Sequence, residues 1–420
     1  MKKAKLLLSL SSVALLAGLT GCGSVKGAEY TPGTAVKVGL ICLHDTNSTY
    51  DANFINALKE AAQSLGAKVE FSDDCLLTSV DEDEHCYDAA KDLVKKGCNV
   101  IFADSFGHQD YMLQAAKDWP TVQFCHATGT NAKTADLANY HNAFASIYEG
   151  RYLAGYAAGL KLLEMDNANW ETGFKVGYVG AFPYAEVKSG YTSWFLGLRE
   201  AVRVGLKDPS KVTMDVRFTN SWYSPDAESS AAKALIDGGA ILVSQHADSM
   251  GAPGECEKNS VPNVTYNVET KTDCPNTYLA YSRINWAPYY ENVVKSLFDG
   301  KDGFDGEKNH NWTGTLATNS VQYNVNWDNF STVGAAAGKL ALAAEALAIS
   351  TGAKKVFDTS KFTVNGAKVT TYLADTDGDF QGDTEVIVNG TGTAPSYFDE
   401  SNYCSAPYFD LDIDGINLPQ

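Results

Sequence analysis

Carboxylates, imidazoles and aromatic rings recur in this chain at one kind of place, directly after a short apolar run. VGLICL is followed by HDTNSTYDANF, which sets His44, Asp45, Asn47, Tyr50, Asn53 and Phe54 around one helix start. NVIFAD ends on Asp104 and leads to Phe106 and His108, while TVQFC leads to His126 and Thr128. A second series repeats the pattern with Phe182, Tyr184 and Glu186, then Asn220, Trp222 and Tyr223, then His246 and Asp248, and finally Arg283, Asn285 and Trp286. Each residue has a plainer reading: Ser48 with Asp51 resembles a capping box, and one aromatic in a loop is ordinarily packing. Recurrence at run after run is what marks a site.

The chemistry of that set is recognition of a flat, hydroxyl-rich solute. Aromatic faces sandwich a ring for about 1 to 3 kcal/mol per stacked base. Carboxylates accept from a vicinal diol in charge-assisted hydrogen bonds of about 1.5 to 3 kcal/mol. A purine nucleoside or a sugar fits, and no Walker-type glycine loop offers phosphates a seat. His44, His108, Glu186 and His246 are candidate acid/base groups, yet no GxSxG elbow, HExxH or recognisable Cys/His pair accompanies them. The chain therefore reads as a binding protein without catalytic residues or cofactor.

The elements that must hold these residues are alternating strands and helices. From residue 36 the order is VKVGLICL, a helix over 50–65 with Phe54, Leu58, Ala61 and Leu65 on one face, KVEF, a helix over 87–96, NVIFAD, a helix over 110–117, and TVQFCHA. The segment 141–163 reads as one long helix of small and aromatic residues. After it the alternation restarts with KVGYVGAF, a helix over 185–204, VTMDVRF, a helix over 226–236, AILVSQ, TYLAYSR, a helix over 287–299 and extended chain over 313–325. Buried apolar strands alternating with amphipathic helices imply parallel sheets with right-handed crossovers, so the fold class is α/β with two doubly wound lobes. Ligands sit beyond the carboxyl ends of such strands, and two facing lobes with a hinge make a cleft there. The expected boundaries are 36–143 with 284–312 for one lobe and 144–283 with 313–420 for the other.

The first 22 residues carry an address. Lys2, Lys3 and Lys5 precede an apolar run from Leu6 to Leu19, too short for a membrane span and suited to a secretory signal. Leu-Thr-Gly-Cys ending at Cys22 resembles a bacterial lipobox, whose cysteine is diacylated and becomes the mature N-terminus; the alternative is cleavage near Ala28. Residues 23–35 read as a spacer. Without the three signal lysines, 30 basic residues face 51 acidic ones, near −21, which disfavours nucleic acid and anionic membrane surfaces as partners. Cys42, Cys98 and Cys125 sit in apolar runs and read as buried thiols, whereas Cys75 with Cys86 and Cys256 with Cys274 flank polar loops and could close local disulfides. No cysteine spacing suits zinc.

Beyond residue 330, GAAAGKLALAAEALAIS reads as a small-residue helix and KFTVNGAKVTTYLAD as a hairpin turning at Asn365-Gly366. DTDGDFQGDTE has Asp375, Asp377 and Asp379 at calcium-loop spacing, but Gly378 is displaced and Val386 stands where a bidentate Glu belongs, so a solvated turn is the reading and no metal is expected.

HDTNSTYDANF, FASIYEGRYLAG, GAFPYAEVKSGYTSWFLGLR, TNSWYSPDAE and QHADSMG together resemble the basic membrane protein (BMP) family of lipoproteins, substrate-binding components of ABC importers related to purine nucleoside receptors. The resemblance covers residues 36–330. It implies a type I periplasmic-binding fold with three interlobe crossovers, a ligand clamped between lobes, and ABC permease and ATPase partners at the outer face of the cell membrane. It also implies base stacking by Phe54 or Tyr50 against Trp222, ribose binding by Asp104 and Asp248, and Asp45 and Asn53 on the base side. Phe54 is followed by Ile55 where many nucleoside receptors have Asn. The expected ligand-binding set is Asp45, Tyr50, Asn53, Phe54, Asp104, Phe106, His108, Tyr184, Trp222, His246, Asp248, Arg283 and Trp286. A sugar- or riboflavin-type binding protein, or a sensor for a membrane signalling partner, are the alternatives.

Overall fold

The computed structural model describes residues 25–301 and 304–419. The signal segment and Cys22 lie outside the described residues. The first lobe begins with β1 (Val36–Ile41), α1 (Thr49–Leu65), β2 (Val69–Glu70), β3 (Leu76–Leu77), α2 (Glu84–Lys95), β4 (Val100–Ala103), α3 (Gln109–Asp118), β5 (Gln123–Ala127), α4 (Ala132–Ala135) and β6 (Tyr140–Ala145). The second is built from α5 (Ile147–Leu162), β7 (Phe174–Gly180), α6 (Ala185–Val204), β8 (Val212–Phe218), α7 (Pro225–Asp237), β9 (Ala240–His246), α8 (Gly251–Lys258), β10 (Asn263–Tyr266) and β11 (Tyr278–Ile284). The chain then returns to the first lobe for α9 (Ala287–Phe298) and β12 (Asn311–Gly314) and to the second for β13 (Val321–Val325) and α10 (Thr332–Ser350).

Sheet one runs β12-β6-β5-β4-β1-β2, with β3 also paired to β1, and every pair is parallel. Sheet two contains β13-β11-β10-β9-β7-β8, parallel except for antiparallel β13. Central strands such as β4 and β6 are buried along their whole length, as strands covered by helices on both faces must be. Between α5 and α6 the backbones nearly touch: a Cβ on Gly155 would strike the Trp194 carbonyl, and one on Gly197 the Tyr152 carbonyl.

The long helix expected over 141–163 is corrected to β6 followed by α5. HNAFA is buried along its whole length and pairs with strands on both sides, so a sheet slot overrides the helical reading of its small residues. The disulfides considered for Cys75 with Cys86 and for Cys256 with Cys274 are absent: all eight described cysteines are free and buried. Cys75 Sγ faces Cys98 Sγ at 3.8 Å instead.

Three crossovers form the hinge, at Ser146, at Asn285 and over 315–320. They are tied to one another: the Ser146 amide donates to the Gly314 carbonyl (2.7 Å), the Asn285 amide to the Ser320 carbonyl (2.8 Å), and the Leu316 amide to Glu149 Oε2 (2.7 Å).

The chain after α10 is a tail of mostly irregular structure. It adds β14 (Leu373–Ala374), β15 (Thr384–Glu385), β16 (Ile387–Val388) and β17 (Tyr397–Phe398) as two small ladders, and β18 (Ile416–Asn417) as an edge strand parallel to β8 in sheet two. Asn365 and Gly366, at φ 51° and 77°, form the expected two-residue turn between Val364 and Ala367, closed by a single bridge. Phe357, Phe362, Phe398 and Phe409 bury the tail in the core of the second lobe. The tail also reaches the first lobe: the Ser405 amide and hydroxyl donate to Asn311 Oδ1 (3.1 and 3.0 Å), Lys308 Nζ donates to Asn402 Oδ1 (2.8 Å), and the Ser401 and Ser146 hydroxyls meet at 2.9 Å.

Candidate functional site

Between the lobes, at the carboxyl ends of both sheets, lies a narrow cleft. Leu43, His44, Tyr50, Asp51, Ser105, Phe106 and Thr128 line it from the first lobe, and Glu186, Trp222, His246 and Asp248 from the second. The lobes touch at its rim. The Thr49 amide, at the start of α1, donates to the Asp248 carbonyl (2.8 Å), and the rings of His44 and Tyr223 are 5.4 Å apart.

The start of α1 does two jobs. Ser48 Oγ caps the helix by accepting from the Asp51 amide, while Asp51 accepts from the His44 amide (2.8 Å) and the Ser48 hydroxyl (2.5 Å). Burial works to raise the Asp51 pKa, and the hydrogen bonds from His44 and Ser48 outweigh it, holding the carboxyl below its usual range. Asp104 is fully buried nearby. Its Oδ1 accepts from the Leu43 amide (3.2 Å), its backbone carbonyl accepts from the Tyr50 hydroxyl (2.9 Å), and its Oδ2 has no partner among the described residues. Burial and then the neighbouring Asp51 push its pKa well up.

In the second lobe Asp248 is likewise pushed up, by burial first and then by Asp51, Glu228 and Glu186, with Arg151 opposing. Arg151, on α5, is fully buried: its guanidinium lies 3.5 Å from the centroid of the Tyr266 ring and donates to the Gln245 carbonyl (2.8 Å), while Nε and Nη2 lack partners among the described residues. Tyr266 packs in turn on His246 (4.7 Å), whose Nε2 is 3.4 Å from Glu186 Oε1. Burial, then Arg151, lowers the His246 pKa to about 4, so the imidazole is neutral near pH 7. Three carboxyl groups, Asp51, Glu186 and Asp248, with no lysine or arginine among the lining residues make the cleft a place for hydrogen-bond donors and a poor one for phosphate.

Of the residues expected from sequence, Tyr50, Phe106, Trp222, His246 and Asp248 line the cleft. Tyr184 stands at its mouth, 5.8 Å from Phe106 across the lobes and stacked on Phe182 at 5.1 Å. The others lie apart, with Asp104 wholly buried behind the lining. Asp45 is exposed and accepts from the Asn47 amide (2.9 Å), and Asn53 Nδ2 donates to the Ile284 carbonyl (2.7 Å) beside the hinge. Phe54 and Trp286 stack on each other in the core at 4.3 Å. His108 Nε2 contacts the Val80 carbonyl (2.9 Å), and Arg283 donates to Gln322 on β13 (2.9 Å). Sequence reasoning missed Asp51 as a lining group because capping explained it, and missed Arg151, whose signal was an arginine inside an apolar helix.

The model of the family described as ABC transporter substrate-binding protein PnrA-like (Bmp) matches residues 40–331. This chain belongs to that family. The substrate-binding protein is 33% identical over 291 residues to a purine-binding protein of Brucella abortus, covering 69% of this chain and 75% of the relative. It is also 33% identical over 202 residues to a putative ABC transporter glucose-binding protein of Haloferax volcanii, covering 48% of this chain and 46% of that one. Among solved structures it resembles an ABC transporter solute-binding protein from Conexibacter woesei, with a TM-score of 0.55, 18% identity, and coverage of 76% of this chain and 98% of that one. The periplasmic-binding architecture of two lobes and a hinge is therefore shared with known receptors. As a family of solute-binding proteins, its members are not enzymes.

Proposed function

We propose that this receptor clamps a purine, as nucleoside or free base, between Tyr50 and Trp222 and delivers it to an ABC permease while anchored to the membrane through acylated Cys22. The observation that carries the reading is that aromatic rings of both lobes line one cleft together with the carboxyl groups of Asp51, Glu186 and Asp248, with the unpartnered Asp104 Oδ2 buried behind them. A purine ring supplies the flat face, and its N–H groups or a ribose diol supply the missing donors. The similarity to the Brucella purine-binding protein supports the same class. Acyl chains contribute roughly 0.8 kcal/mol per buried CH₂, enough for lasting attachment when several chains act together. Cys22→Ala should release the protein from membranes.

The test is thermal shift of the delipidated protein against purine nucleosides, free purines, sugars and riboflavin. Ligand at a hundred times its Kd stabilises by about 2.7 kcal/mol, and Trp222→Ala or Asp248→Ala should remove that shift. A melting point moved by glucose and by no purine would replace this reading with the sugar class of the putative glucose-binding relative from Haloferax.

A further inference from the structure

Away from the cleft, at the β12 edge of sheet one, His141 on β6 is buried under the chain that leads into β12. Both its ring nitrogens face oxygens: Nε2 is 2.9 Å from Gln123 Oε1 and Nδ1 is 2.9 Å from Glu307 Oε2. If Nε2–H donates to Gln123, the Nδ1 lone pair confronts a carboxylate oxygen. Two acceptors at that distance need a shared cation, either a proton or a metal. His310 completes a group of three whose ligand atoms all lie within 4.8 Å of one another. The Glu307 side chain is only 8% exposed, and its Oε1 is buried without a partner among the described residues. Phe304 covers the His141 ring at 4.2 Å, while His310, 28% exposed, leaves a route from solvent.

We propose that His141, Glu307 and His310 bind a divalent ion of the zinc class. Two imidazoles and one carboxylate suit a borderline ion, whereas calcium and magnesium prefer oxygen alone. Gln123 fixes the His141 tautomer from behind, as groups behind metal-ligating histidines do. Water fills the fourth position; Asp136, its Oδ1 3.7 Å from His310 Nε2, stands outside the group of mutually close ligand atoms. None of the three ligands lines the cleft. The ion fastens the lead-in to β12, and β12 carries the Asn311 that the tail grips.

The experiment strips the full-length receptor with a chelator and titrates Zn²⁺ against a chromophoric competitor, with Co²⁺ absorption reporting coordination. Wild type should take one equivalent, show tetrahedral Co²⁺ bands and melt higher with Zn²⁺. Glu307→Gln and His310→Ala should each weaken Zn²⁺ at least a hundredfold and keep the wild-type far-UV circular dichroism. No stoichiometric uptake, or uptake unchanged in both variants, overturns the proposal. So does an ion that survives His310→Ala and is lost in His85→Ala, which would place it at the exposed group Asp81, Asp83 and His85.

Discussion

Asp104 shows how little of a residue's role is visible in its type. It ends a strand, is fully buried, and keeps one oxygen bonded to the Leu43 amide and the other free. Asp104→Asn preserves the first bond and replaces the free acceptor with a donor. Purine affinity should therefore fall by about 2- to 10-fold, the worth of one hydrogen bond between neutral groups, and calorimetric titration reads it directly. Stability should hold, since burial already disfavours the charged carboxyl. At this scale sequence reasoning went furthest where strand ends expose side chains, as at Trp222, His246 and Asp248. It went astray at Phe54 and Trp286, because a stacking aromatic and a core aromatic look alike until packing is known.

Among the elements, the restarting alternation was legible because parallel strands buried on both faces must be apolar along their length. Residues 185–204 and 212–218 were read to the residue. The boundary at Ser146 was not, since HNAFA and the helix after it share small, apolar residues and only strand pairing separates them. α8 and β10 went unread as well, α8 because Gly and Pro interrupt its helical pattern. The first turn of α5 carries Glu149, which accepts from the Leu316 amide at the hinge and has its pKa raised from 4.5 to about 7, chiefly by burial. The folded protein thus holds this proton to higher pH than the unfolded chain does. Its contribution is complete below about pH 4.5 and is lost as pH rises through about 7. Glu149→Gln keeps the acceptor and removes the titration. The variant should match wild type near pH 4 and gain on it by a few kcal/mol, on the order of two pKa units, towards pH 8; paired denaturation curves across that range check it.

The whole molecule is a hinged clamp whose tail belongs to both halves. Aromatic residues bury the tail in the second lobe, while Asn402 and Ser405 reach Lys308 and Asn311 of the first. Asn311→Ala with Lys308→Ala should loosen that grip, raising the radius of gyration of the ligand-free protein in X-ray scattering and leaving the ligand-bound value unchanged. An identical radius in both forms would mean that the hinge alone limits the motion. In mechanical terms, the crossovers at Ser146, Asn285 and 315–320 set the axis of a door, and the tail is its check strap. Any opening must either stay within the strap's slack or break its hydrogen bonds, so the rate at which a captured solute escapes is governed partly by residues far from the solute. The energy to undo that strap is one thing a docked transporter would have to supply.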